Sequence, residues 1–272
     1  MKTTIPQITN NNNNNKPNCQ QEQNKTQATP TDISPRIAIF DYGAGNLFSL
    51  KAALKRNGAG NVSIIRDMKS LDNFDGLVLP GVGNFDPAII SVGQDKELLI
   101  AAIERKMPIL GICLGMEMLF NCSQEGTLEG LKIIDGRVLM LDKKKVKVPH
   151  MGWNNLQLVK HKRNIVNTSR RRSSRTDMED SNGGNDSKLL HNIGDNSWVY
   201  FVHSYRIFPG KAERQIVVAN SKYGDNQIPA VIEKGNIFGT QFHPEKSGPI
   251  GSQIIRNFLK ICSSTIIGAE DK

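Results

Sequence analysis

Between residues 36 and 112, short apolar runs alternate with helix-compatible stretches. Arg36-Ile37-Ala38-Ile39-Phe40 reads as a strand, and the segment after it places Leu47, Leu50 and Leu54 on one helical face before stopping near Gly58. Val62 to Ile65 and Gly76 to Leu79 are further strands. Asp86-Pro87 reads as an N-cap with proline at the first helical position, Lys96 to Lys106 is helical by pattern, and Pro108 to Ile112 is a strand. The second half is richer in strands: Asn155 to Val159, Trp198 to His203, Gln215 to Ala219, Ala230 to Glu233 and Asn236 to Phe242, with a closing helix over Ser252 to Ile261. Repeated βα units predict an α/β sandwich with a mostly parallel central sheet, helices on both faces and antiparallel strands added late in the chain. Ligands of such sheets lie at the carboxyl ends of the strands, where the glycine-rich loops of this sequence fall.

Two segments do not fit a core. Residues 1–35 contain Asn10 to Asn15 and almost no apolar side chains, and residues 160–187 hold Arg170-Arg171-Arg172-Ser173-Ser174-Arg175. Their composition predicts a disordered tail and a disordered basic insert. A single domain over 36–262 and a tail over 263–272 complete the division. The net charge is +9, of which these two segments carry +1 and +3; the rest is spread out with no aromatic interleaving. That distribution argues for a basic surface and against nucleic-acid binding. Cys19, Cys113, Cys122 and Cys262 have neither CxxC nor zinc spacing, which points to a reducing compartment and no metal. No apolar run reaches membrane-spanning length and residues 1–20 lack a signal-peptide core, so the expected location is cytoplasmic.

The chemistry concentrates at Gly111-Ile112-Cys113-Leu114-Gly115, between an apolar strand and the helix-compatible Leu114 to Phe120. Strand, sharp turn and helix make a nucleophile elbow with Cys in place of Ser, its central residue in a strained conformation. A thiol there is expected to project into solvent at a positive helix end, where thiolate is favoured. A partner base lies in His243-Pro244-Glu245, where Glu245 can hold one ring nitrogen of His243 and leave the other for the thiol. Taken singly, each motif has an ordinary reading: a buried small residue, a strand-ending turn, a glycine-shaped loop at Pro80-Gly81-Val82-Gly83. His203 reads as a hydrogen-bonded histidine at a sheet edge. Together the motifs supply a nucleophile, an oriented base and a loop able to present amides as an oxyanion hole.

These residues resemble class I (triad) glutamine amidotransferases, and within them the glutaminase subunits of imidazole glycerol phosphate synthase. The motifs that carry the resemblance are Asp41-Tyr42-Gly43-Ala44-Gly45-Asn46, Pro80 to Gly83, Gly111 to Met116, Pro149-His150-Met151-Gly152-Trp153-Asn154, Tyr200-Phe201-Val202-His203-Ser204-Tyr205 and Gly239 to Ser247. The resemblance implies that Cys113, His243 and Glu245 hydrolyse glutamine. It implies backbone oxyanion donors at Val82 and Leu114, and substrate contacts at Gly83, Glu117, Glu125, Ser204 and Tyr205. Asn46, Trp153 and Lys246 match positions facing a (β/α)₈ cyclase subunit in a heterodimer. That partner would use the ammonia to form imidazole glycerol phosphate and aminoimidazole carboxamide ribotide, and no cofactor is implied. Position 117 departs from the pattern, being Glu where relatives often carry Gln. Two other readings stand beside this one: a class I glutaminase serving another synthase, and a non-catalytic interaction module.

Overall fold

The computed structural model describes residues 34–43, 47–81, 83–160 and 187–270, with side chains as far as 265. Strands β1 (Arg36–Phe40), β2 (Asn61–Ile65), β3 (Gly76–Leu79) and β4 (Ile109–Ile112) lie in the first half. Between them run helices α1 (Leu47–Arg56), α2 (Phe85–Gly93) and α3 (Lys96–Glu104), and the four-residue α4 (Leu114–Glu117) follows β4. The second half holds β5 (Cys122–Ser123), β6 (Gly136–Met140), β7 (His150–Asn155), β8 (Gln157–Leu158), β9 (Trp198–His203), β10 (Tyr205–Pro209), β11 (Val217–Tyr223), β12 (Asn226–Lys234), β13 (Ile237–Thr240) and the helix α5 (Gly248–Glu270).

The main sheet has the order β2-β1-β3-β4-β13-β12-β11-β8. Its first five strands are parallel and its last three antiparallel. This is the α/β sandwich expected from the pattern. Alternation along β1 sends Ile37 and Ile39 to one face, with Leu50 and Leu54 of α1 and Ile254 and Phe258 of α5. Ala38 and Phe40 go to the other face, with Phe85 and Val92 of α2 and Leu99 of α3. Both faces are covered, so the central strands are apolar throughout.

Several boundaries differ from the pattern. Asn84, not Asp86, precedes the first turn of α2, which begins at Phe85. Asp86 instead accepts hydrogen bonds from the backbone N–H groups of Thr127 and Leu128, fastening the 125–128 loop to α2. Pro149 to Asn154 is not a loop: β7 pairs with β9 in a separate two-stranded sheet. The strand expected over Asn155 to Val159 is only Gln157–Leu158. Helix α5 runs on to Glu270, through residues that the sequence pattern assigns to a tail. Of the expected tail over 1–35 and insert over 160–187, all but residues 34, 35, 160 and 187 lie outside the described residues. Within them, no helix is long and apolar enough to cross a membrane.

Candidate active site

The parallel strands deliver four loops to one edge of the sheet, after β1, β3, β4 and β13. Strand β4 ends at Cys113, whose φ of 47° and ψ of −108° are forbidden to most L-residues. The backbone is pinned there because the Cys113 N–H donates to the Thr240 carbonyl at 2.6 Å, while the Met116 and Glu117 N–H groups donate to the Cys113 carbonyl at 3.0 Å. The flanking glycines are required by contact. A Cβ on Gly111 would lie 2.7 Å from Met116 N, and one on Gly115 2.0 Å from the Leu79 carbonyl oxygen.

Gly81 brings the site together. A Cβ there would sit 2.9 Å from Cys113 Cβ and 3.0 Å from His243 Cε1, so thiol and imidazole converge on a position only glycine can occupy. The Tyr42 hydroxyl donates to the Pro80 carbonyl and braces this loop from the end of β1.

His243 is 1% exposed and extended at φ −98°, as its following proline favours. Residues Pro244–Lys246 then form a 3₁₀ turn. The turn, not an extended strand, carries Glu245 back to the ring, with Glu245 Oε1 2.8 Å from His243 Nδ1. His243 Nε2 is buried and has no hydrogen-bond partner. Ser247 secures the turn: its hydroxyl donates to the His243 carbonyl at 2.7 Å and accepts from the Tyr200 N–H at 2.9 Å.

The thiol does not project into solvent. Cys113 is 7% exposed, and the helix after it is a single turn, too short to supply much of a dipole. Burial pushes the thiol well up from its ordinary range and the nearby Glu117 adds to this. The Leu114 N–H and the Gln241 amide pull weakly the other way, Gln241 Nε2 lying 3.7 Å from Sγ. The resting cysteine is a neutral thiol rather than the thiolate the pattern predicts.

Cys113 opens onto a cleft of about 290 Å³ lined by Gly83, Leu114, Glu117, Glu125, Ser204 and Tyr205. The structure therefore gathers these expected substrate-contact positions around one sulfur. Trp153 and Lys246 are exposed, and the Trp153 ring packs near Gly248, just past the His243 turn. Asn46 and Val82 lie outside the described residues. Gln241, Ser247 and His150 lie within the quoted motifs, and the structure shows what each does: Gln241 contacts the sulfur, Ser247 braces the His243 turn and His150 bonds His203.

Glu117 is 3% exposed and accepts from Gln241 Nε2 at 2.9 Å. Burial pushes its carboxyl up to about 7, the Gln241 bond opposing and Glu125 reinforcing the shift. The fold therefore holds this proton more tightly than the unfolded chain, whose value lies near 4.5. The resulting stability is fully present below about pH 4.5 and is lost as pH rises through about 7. Relative to Glu117→Gln, the wild type should lose on the order of 3 kcal/mol between about pH 4 and pH 8. Urea denaturation of both proteins at the two pH values checks this, and parallel curves would refute it.

A model of the class-I glutamine amidotransferase family matches residues 38–262, and the chain belongs to that family. Solved structures carry the same fold: PurLQS from Thermotoga maritima aligns with a TM-score of 0.57 at 20% identity, covering 88% of this chain and all of that one. The closer kinship is with HisH, the imidazole glycerol phosphate synthase subunit. The HisH of Synechococcus sp. (strain JA-3-3Ab) is 40% identical over 237 residues, 86% of this chain and 97% of the relative. That of Methanocaldococcus jannaschii is 39% identical, over 83% of this chain and 99% of the relative.

Proposed function

We propose that this chain is the glutaminase subunit of an imidazole glycerol phosphate synthase, hydrolysing glutamine with Cys113, His243 and Glu245 and passing the ammonia to a (β/α)₈ cyclase subunit in a heterodimer. Cys113 Sγ attacks the side-chain amide carbon of glutamine while His243 Nε2 takes the thiol proton. That proton goes to the leaving nitrogen as the C–N bond breaks, giving ammonia and a glutamyl thioester. Water, deprotonated by His243 Nε2, then attacks the thioester carbon; the C–S bond breaks, glutamate leaves and His243 returns the proton to the sulfur. Glu245 holds Nδ1–H and offsets the imidazolium charge at each step.

The observation that carries this reading is the ring of His243: one nitrogen is tied to Glu245 at 2.8 Å, the other is buried and unpartnered, and ring and Cys113 both close on Gly81. A neutral resting thiol fits a base that acts only as substrate arrives. The Leu114 N–H, which points at the sulfur, and an amide of the Gly81 to Gly83 loop are the oxyanion donors in this reading. Glu117 and Glu125 offer carboxylates to the substrate ammonium. The exposed Trp153 and Lys246 supply the docking surface on the same edge.

Ammonia release from glutamine, measured with and without a ligand-loaded cyclase, tests the assembly. The expected result is a strong dependence on the partner, because one mispositioned oxyanion donor alone costs about 100–1,000-fold in rate. Equal rates would refute the coupling.

A further inference from the structure

Strand β7 has two unlike faces. Met151 and Trp153 point outward, 62% and 53% exposed, while His150 is 3% exposed on the inner face with Asn154 beside it. The His150 ring stacks between those of Phe201, 4.8 Å away, and Tyr223, 4.0 Å away. Behind the outer face runs a chain of hydrogen bonds whose direction follows from the chemistry of its ends.

His203 Nδ1 lies 2.6 Å from the Tyr205 carbonyl oxygen, which can only accept, so Nδ1 carries the proton. Burial holds His203 down at about 3 and His150 at about 4, so both rings are neutral at neutral pH. His203 Nε2 is therefore an acceptor, and His150 Nδ1, 2.9 Å away, donates to it. That leaves His150 Nε2 to accept from Asn154 Nδ2 at 3.4 Å. The Asn154 amide cannot be reversed, because Oδ1 accepts from the Asn155 N–H at 2.8 Å and Nδ2 also donates to the Lys222 carbonyl at 2.9 Å. Each donor thus points the same way, from β7 toward the turn between β9 and β10.

That turn is a wall of the cleft. His203, Ser204 and Tyr205 line it, and the Cys113 thiol donates to the Val202 carbonyl at 3.9 Å. Both nitrogens of His203 are occupied, so it cannot act as a base for Cys113. The β7–β9 ladder ends at the His150–His203 pair, and from there the two side chains carry hydrogen bonds on to the Tyr205 carbonyl.

We propose that Asn154, His150 and His203 form a positioning relay, through which a protein docked on the outer face of β7 sets the Ser204–Tyr205 wall of the glutamine cleft. The proposal rests on the glutaminase reading above and goes beyond it by naming the side chains that join docking surface to cleft. The ribbon of β7 and β9 lies outside the main sheet, and the relay gives its β7 edge a side-chain route to the cleft wall.

His150→Phe tests it: the ring still fits between Phe201 and Tyr223, but the donor is gone. His150→Asn restores an amide nitrogen near the place of Nδ1. With the cyclase bound at wild-type affinity, His150→Phe should raise KM for glutamine and lower the stimulation by the partner, each by about tenfold, and His150→Asn should recover most of both. Imidazole ¹⁵N shifts of the chain alone should show His203 protonated on Nδ1, with Nε2 moving in His150→Phe. A folded His150→Phe with unchanged KM and stimulation would overturn the relay, as would the opposite His203 tautomer. Wild-type chain that releases no ammonia with or without cyclase would overturn the glutaminase reading instead, leaving the ¹⁵N shifts to decide the hydrogen-bond chain.

Discussion

Cys113→Ala is expected to lose glutamine hydrolysis by roughly 10⁴-fold or more while still folding, since no other group near the cleft can form the thioester. Nearby nucleophiles do not substitute. Ser204 and Tyr205 line the cleft, but it is Cys113 that shares the contact at Gly81 with the His243 ring. The stability of a second variant separates chemistry from strain. At φ 47° and ψ −108° any side chain crowds its own backbone, a cost of order 1–3 kcal/mol that glycine avoids. Cys113→Gly should therefore be as inactive as Cys113→Ala yet more stable by about 1 kcal/mol, the entropy of the unfolded glycine offsetting part of the relief. Ammonia assays and urea denaturation of the pair check both halves. Residual hydrolysis in Cys113→Ala would remove the sulfur from the chemistry, and a less stable glycine variant would remove the strain from the elbow.

The second large effect is expected at Gly115. Its added methyl would lie 2.0 Å from the Leu79 carbonyl oxygen and 2.6 Å from the carbonyl carbon, both backbone atoms of a central strand. No side chain can swing aside, so β3 or the elbow must move. Gly115→Ala should cost about 3 kcal/mol or more, at the upper end of overpacking, and should abolish hydrolysis with it. Gly93, the last residue of α2, is the control: nothing lies within 4 Å of an added Cβ and its φ is ordinary. Gly93→Ala should stabilise by about 0.5–1 kcal/mol with activity intact. Denaturant midpoints for the two variants decide the matter, and a tolerated Gly115→Ala would mean that the elbow is looser than its contacts imply.

The parallel half of the sheet was legible in the sequence because both of its faces are covered. Strands such as Ile37–Phe40 and Ile109–Ile112 are apolar at every position, and few other structures need that. The strands of the two smaller sheets were less legible. Strand β6 starts at Gly136 and places Arg137 outward, β10 ends at Pro209, and β7 mixes Gly152 with asparagines, so each looks like loop. Their strand character comes from pairing across the fold. The proposed triad residues stand out in the sequence because Cys113, His243 and Glu245 sit in short motifs at strand ends. The state of the thiol does not: it depends chiefly on the burial of Cys113 beneath Gly81, which leaves no mark in the neighbouring residues.

The sheltered sulfur also bears on chemical endurance. Peroxides and alkylating agents attack thiolates that solvent can reach, and Cys113 at rest is neither ionised nor open. In the proposed reaction, a subunit without partner or substrate thus keeps the Cys113 sulfur in its least reactive state.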